Sequence, residues 1–441
     1  MVQRILVPFE GDGAGVDTLS WGQSEIWRSM TAVGDSFNLA ATFPAPPGTT
    51  VDGVAGTLRF AMSRHQSLRT RIVVDADGVT RQVVAASGEV PLEIVDVDGD
   101  AAAEAARVLE RYERTVFDHP NEWPVRMAVV RANGVPAHVV ASYSHVATDV
   151  HGLDALVADV LTMDGTPEPV TAAQPLDQVQ RQRTKSAARQ SDAALRHAER
   201  VLRAIPPRQP GRSTDRRDPR WQQIGYDSPA SFLAVQAIAA RNRVPTTPVL
   251  LAGFAVALCE VTGTTPAVAR LMVNNRFRPG LAASVSPLAQ TCLAVIDVAD
   301  GTFDDVVSRA WRAATLAGKY AYFDPNRMAE LVDRIGRERD ADVRVDVCFN
   351  DRRRAHLSPK PLDRMPTKAE LSAAQQAGVV RWERPMARYD HTLYFHVNDV
   401  PDTFDYLMCA DTHHLSPVDM TAMVRCVEDV FVRAASDPDM I

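Results

Sequence analysis

Tyr143-Ser144-His145-Val146-Ala147-Thr148-Asp149-Val150-His151-Gly152 follows an apolar, β-prone run over residues 137–143, so its reading starts from the end of a strand. A histidine in that position, with an aspartate four residues on, can hold an imidazole in a cleft while the carboxylate points into protein. Proton acceptor and anchor are then separate jobs. An imidazole suits the first because it titrates near neutrality and can take a proton from an attacking amine or hydroxyl. The spacing alone is common, and it equally allows Asp149 to do no more than cap a helix over residues 153–161.

Working outward, residues 125–130 and 137–143 are β-prone runs separated by Asn133-Gly134, a hairpin signature that leads straight into the motif. A second hairpin is expected around Asp77-Gly78, between the two β-branched runs of LRTRIVVDADGVTRQVV. Helical spacing over residues 19–30, and at Val54, Leu58 and Met62 within 51–64, predicts two earlier helices. Beyond the motif the composition changes: residues 174–204 read as one long charged helix, followed by the Pro- and Arg-rich connector IPPRQPGRSTDRRDPRW. The chain then restarts with helices over 228–241 and 249–261 and strand-like runs at 268–273, 293–298 and 343–349. The organisation expected is an N-terminal lobe over 1–170 carrying the motif, a charged helix and connector over 171–221, and a C-terminal lobe over 222–441. The class is α/β.

Composition bounds the function. With 441 residues, 46% of them hydrophobic, the chain can fill a large core, and its longest apolar run is shorter than the ~20 residues that span a bilayer. No membrane partner is expected, and cytoplasmic location follows from the absence of a visible leader. Lys and Arg number 48 against 55 Asp and Glu, a net charge of −7, and this argues against a nucleic-acid partner. Five scattered cysteines without a CxxC pair suit buried thiols, and no metal site is predicted. The chain has no glycine-rich phosphate loop, GxSxG elbow or HExxH helix. The paired His413-His414 precedes Ser416 at a helix start and reads as a turn; His391 and His396 fall in a strand-like run.

Four further segments, in order, resemble the condensation domains of nonribosomal peptide synthetases, of the chloramphenicol-acetyltransferase-like superfamily. LSWGQSEIW from Leu19 looks like the family's opening helix motif, and RHQSLRT from Arg64 is similar to RHExLRT with Gln66 for Glu. SHVATDV stands where the family has HHxxxDG. VNNRFRP from Val273 and Ser286-Pro287-Leu288 resemble the asparagine-arginine stretch and the GxFVNT position. The resemblance covers nearly the whole chain and departs from the motif twice, at Ser144 for the first histidine and Val150 for the glycine.

The resemblance implies two chloramphenicol-acetyltransferase-like lobes forming a V with a central channel, and it selects His145 as the channel-facing catalytic histidine. It implies a structural pair of Asp149 with Arg276 across the lobes, with Ser144, Val150, His151 and Gly152 lining the site. Ser144, next to His145 on an extended segment, is expected to point away from it. Val150 is the more disruptive change, because glycine at a tight turn often supplies a conformation a β-branched residue resists. Backbone N–H groups at 150–152 are candidate oxyanion donors. The activity implied is a stand-alone condensation-type acyltransferase forming an amide or ester between a carrier-protein-bound acyl or aminoacyl donor and a small-molecule amine or hydroxyl acceptor in specialised-metabolite (antibiotic) biosynthesis. It needs no cofactor of its own, phosphopantetheine arriving as part of the donor. A local excess of 12 basic over four acidic residues across 181–220 suggests docking of an acyl- or peptidyl-carrier protein through Arg212, Arg216 and Arg217. The alternatives are a non-catalytic docking and recruitment domain, or a CoA-dependent acyltransferase.

Overall fold

The computed structural model describes residues 2–163, 165, 168–206, 211–353 and 364–437. They fall into two compact units, one made of Met1–Arg189 with Asn274–Gln290, the other of Gln190–Val273 with Thr291–Ile441. This division differs from the one read off composition. A segment from the second half of the chain belongs to the unit that carries the motif.

In the first unit, strands β1 (Val2–Glu10), β2 (Gly15–Thr18), β3 (Leu39–Pro44), β4 (Thr70–Val74), β5 (Thr80–Val84), β6 (Ser87–Val97), β7 (Val125–Ala132) and β8 (Val135–Tyr143) make two sheets. One has the order β1-β6-β7-β8-β3 and the other β2-β5-β4. Its helices are α1 (Trp21–Val33), α2 (Val51–Arg64), α3 (Ala101–Arg114), α4 (Val150–Val160) and α5 (Pro175–Gln182), and α6 (Lys185–Ala204) begins in it. The five-stranded sheet is covered on both faces, which is why β7 is apolar at successive positions. Val129, with Leu92 and Val90, packs against Val54, Leu58 and Met62 of α2 and Leu156 of α4, while Val130, with Ala128 and Val140, packs against Ala105, Val108 and Tyr112 of α3. Both expected hairpins form. Asn133 (φ 52°) and Gly134 (φ 78°) are left-handed between β7 and β8, the geometry that matches strand twist in a two-residue turn.

The second unit carries β9 (Trp221–Ser228), β10 (Ala267–Val273), β11 (Gln290–Ile296), β12 (Val347–Asp351), β13 (Val379–Trp382), β14 (Leu393–Val400) and β15 (Thr403–Asp411) in one sheet of order β11-β10-β12-β14-β15-β9-β13. Its further helices are α7 (Pro229–Asn242), α8 (Thr246–Thr262), α9 (Phe303–Tyr320), α10 (Pro325–Arg339), α11 (Lys368–Gln376) and α12 (Pro417–Ser436). The expected apolar helix is α8, at the centre of a core with Phe349, Phe395, Tyr406, Val427 and Phe431. The charged stretch expected as one helix is two, α5 and α6. They part at Arg183 and Thr184, where the Thr184 hydroxyl accepts the Ala187 N–H (3.3 Å) and starts a new helix. Of the connector, residues 207–210 lie outside the described residues. Among the described residues no single helix is long and apolar enough to cross a membrane.

Candidate functional site

His145 lies on the turn between β8 and α4, and the turn is pinned by its own backbone. The Ser144 N–H donates to Pro124 O (3.0 Å), His145 N–H to Ser36 O (3.1 Å) and Ala147 N–H to Ser144 O (2.9 Å). The imidazole is partly exposed; its Nδ1 is buried without a hydrogen-bond partner among the described residues, which leaves Nε2 as the nitrogen for a substrate.

Asp149, 4% exposed, does both of the jobs the sequence left open. As N-cap of α4 it accepts the Gly152 N–H on Oδ1 (2.7 Å), and the same oxygen meets Arg276 Nη2 (2.7 Å). Its Oδ2 accepts the backbone N–H groups of Leu288 (2.9 Å) and Ala289 (3.3 Å). Every partner lies in Asn274–Gln290 or beside the motif, so this ion pair sits inside the first unit instead of crossing between two lobes. Arg276 completes its fork on backbone carbonyls, Ser284 O (2.7 Å) by Nη1 and Ser286 O (3.0 Å) by Nη2. Asn275, fully buried at φ 59°, donates to Leu288 O (3.0 Å) and folds the segment back on itself. With both oxygens engaged elsewhere, the Asp149 carboxylate is an anchor, and the arrangement lacks the His–Asp contact of a nucleophile triad.

The two departures from the motif have separate accommodations. Ser144 is fully buried and its Oγ lies 2.8 Å from His119 Nε2. Val150 is the first residue of α4, 38% exposed and outside the left-handed residues, so no glycine conformation is needed there. The tight position is Gly152, where the demand is for space: a Cβ would stand 2.2 Å from Thr148 Oγ1 and 3.1 Å from Arg276 Nη2. The Gly152 N–H is taken by Asp149 and is no oxyanion donor. His151 faces Asp154 at 3.6 Å on the first turns of α4.

His119 and Gln178, which the sequence reading did not single out, join Arg64 and His65 of the RHQSLRT segment around the motif. His119 is 8% exposed against the Trp27 ring (5.2 Å, edge-on), and burial pushes its pKa down to about 4, so it is neutral. Gln178 of α5 donates to Ser286 Oγ (2.7 Å). Arg64 and His65 both reach Asp159 of α4, at 2.7 and 2.9 Å, and burial likewise holds His65 at about 4. His119 gave no periodic signal; it is a lone histidine in a loop between α3 and β7. In the second unit, His391 Nδ1 meets Asp390 (2.6 Å) and His414 Nδ1 meets Gly211 O (2.7 Å). Arg212, Arg216 and Arg217 are exposed; Arg217 pairs with Asp215 (2.9 Å) and Arg216 donates to Ser213 O and Asp215 O (both 2.6 Å).

A family model described as Condensation domain matches residues 19–438. Isonitrile lipopeptide synthase of Mycobacterium tuberculosis is 27% identical over 345 residues, 72% of this chain and 13% of that protein. Nonribosomal peptide synthetase kk1B of Curvularia clavata is 23% identical over 333 residues, 68% of this chain and 2% of that protein. The chain therefore spans a small part of the length of these relatives. Among solved structures, the condensation domain from Monacolin K polyketide synthase MokA superposes with a TM-score of 0.75 at 15% identity, covering 97% of this chain and 99% of that one. The X-domain from teicoplanin biosynthesis gives 0.72 at 18%, covering 96% and 95%. At these identities the likeness is one of fold.

Proposed function

Because the chain belongs to the condensation-domain family, we propose that it is an acyltransferase in which His145 serves the acceptor, joining a carrier-bound acyl or aminoacyl thioester to an amine or hydroxyl. The observation that carries this reading is His145 itself: a partly exposed imidazole whose Nδ1 is buried, on a turn fixed by the Asp149 network. An imidazole so placed has Nε2 free for the acceptor. As the acceptor nitrogen or oxygen forms its bond to the thioester carbonyl carbon, its proton passes to Nε2. The C–S bond then breaks, and the thiolate leaves with that proton as thiol. Holding acceptor and thioester together supplies several kcal/mol of the barrier reduction. The phosphopantetheine arm belongs to the donor, and the exposed Arg212, Arg216 and Arg217 suit an acidic carrier protein.

Ser144 in place of the motif histidine supports a second reading, a docking and recruitment domain without chemistry. His145→Ala separates them. Under the acyl-transfer reading, turnover with a carrier-loaded donor falls by ~10²-fold or more while the melting temperature holds. A chain that transfers no acyl group from carrier protein or coenzyme A, yet binds a partner equally with and without His145, is a docking domain.

A further inference from the structure

Among the described residues His145 Nδ1 has no hydrogen-bond partner, and the backbone N–H of His145 is what the turn holds, so the ring's position depends on the turn that carries it. On the C-terminal side that turn is anchored by the Asp149 side chain. On the N-terminal side the side-chain anchor is Ser144, whose hydroxyl meets His119 Nε2 at 2.8 Å. His119 is itself held by three independent contacts. Its ring stands edge-on to Trp27 at 5.2 Å, it lies 6.1 Å from the Phe117 ring, and its carbonyl accepts the Ile72 N–H of β4 (3.1 Å). Next to it, the Phe117 N–H donates to Ser36 Oγ (2.7 Å), and the Ser36 carbonyl receives His145 N–H. Two short paths therefore run from the 117–119 loop to the His145 turn, one through Ser144 and one through Ser36.

The motif this stretch resembles has histidine at the position of Ser144, and the space beside Ser144 is filled here by an imidazole from elsewhere in the chain. Ser144 is fully buried and His119 8% exposed, so in a close-packed interior a second ring at Ser144 has to displace its neighbours. We propose that His119 is a positioning residue for His145, acting through Ser144, and that it supplies from the 117–119 loop the imidazole the motif lacks. The catalytic part of this proposal rests on His145 acting in acyl transfer as above; the contact itself does not.

The exchange experiment tests both. Ser144→His alone forces two imidazoles into one site, and is expected to lower the melting temperature by about 4 °C or more and to shift the His145 ring titration read by NMR. Adding His119→Ser moves the ring across the contact and restores both. His119→Gln keeps a hydrogen-bonding group at the Nε2 position and retains the wild-type His145 titration. His119→Ala loses it, with a fall in kcat of about tenfold and little change in KM. The proposal is overturned if Ser144→His melts and titrates as wild type, or if the double variant is no better than the single one. If melting and titration respond as expected and wild type transfers no acyl group, the contact stands and the acyl-transfer reading falls.

Discussion

Replacing Asp149 by alanine removes, in one step, the acceptor of four donors: Arg276 Nη2, and the N–H groups of Gly152, Leu288 and Ala289. Arg276 keeps two close carbonyls but loses its counter-charge at 10% side-chain exposure. Breaking one side of such a buried pair costs about 3–5 kcal/mol, and the lost N-cap lies within that sum. Arg276→Ala strands a carboxylate that still has three backbone donors, so its cost is smaller, about 2–3 kcal/mol. The double variant no longer carries an uncompensated charge. It should cost less than the two singles together, with a coupling of about 1–2 kcal/mol. Urea denaturation followed by tryptophan fluorescence reads the cycle, since Trp21, Trp27 and Trp123 all belong to the first unit. Amide exchange adds a local readout, as Leu288 and Ala289 should lose protection in Asp149→Ala. Additivity within ~0.3 kcal/mol, or unchanged exchange at residues 288 and 289, would refute the reasoning.

Gly152→Ala should cost about 1–3 kcal/mol because its Cβ meets Thr148 Oγ1 at 2.2 Å; Val150→Gly, at an exposed first helical position, should cost under about 1 kcal/mol in the same melts. Burial holds His65 and His119 at about 4, below the unfolded value of 6.5, so the unfolded chain binds more protons between these limits. Stability should therefore be complete above pH 6.5 and fall as the pH drops toward 4, by roughly 3 kcal/mol per histidine; in pH-dependent urea titrations His119→Gln should lose less over that window than wild type. Reversing Arg212, Arg216 and Arg217 to glutamate should weaken binding of the cognate carrier protein by about tenfold or more at low salt and flatten the salt dependence. Unchanged affinity by calorimetry would make that surface a solvated loop.

The elements legible in the sequence were those whose signals are local. Gly78 and Asn133-Gly134 announced their hairpins through backbone geometry, and the spacing of Val54, Leu58 and Met62 announced α2 through its one buried face. β1 and β6 gave no such signal: each pairs along its length with a strand far away in sequence, and no turn residue marks the join. The motif resemblance named His145, Asp149 and Arg276, and the structure brings Asp149 and Arg276 into contact beside the His145 turn. What it could not give was which side Arg276 belongs to, since a segment's return to the first unit is a matter of tertiary contacts at Leu288 and Ala289. Nor could it give His119, whose role comes from meeting Ser144 across 25 residues of chain. The concern over Val150 dissolved for a similar reason. The tight spot is set by Thr148 and Arg276 around Gly152, and the second of these is 124 positions away by number.

The return of Asn274–Gln290 to the first unit has a bearing on how the chain is made. Asp149 leaves the ribosome 127 residues before Arg276 does. At ~5–20 residues per second, that is a delay of roughly 6 to 25 s. For that interval the carboxylate has neither its arginine nor the Leu288 and Ala289 amides, and the turn bearing His145 is held on one side only. The nascent first unit is thus born with its motif unfinished, and its last clasp closes only after α7, α8 and β10 of the other unit have been synthesised.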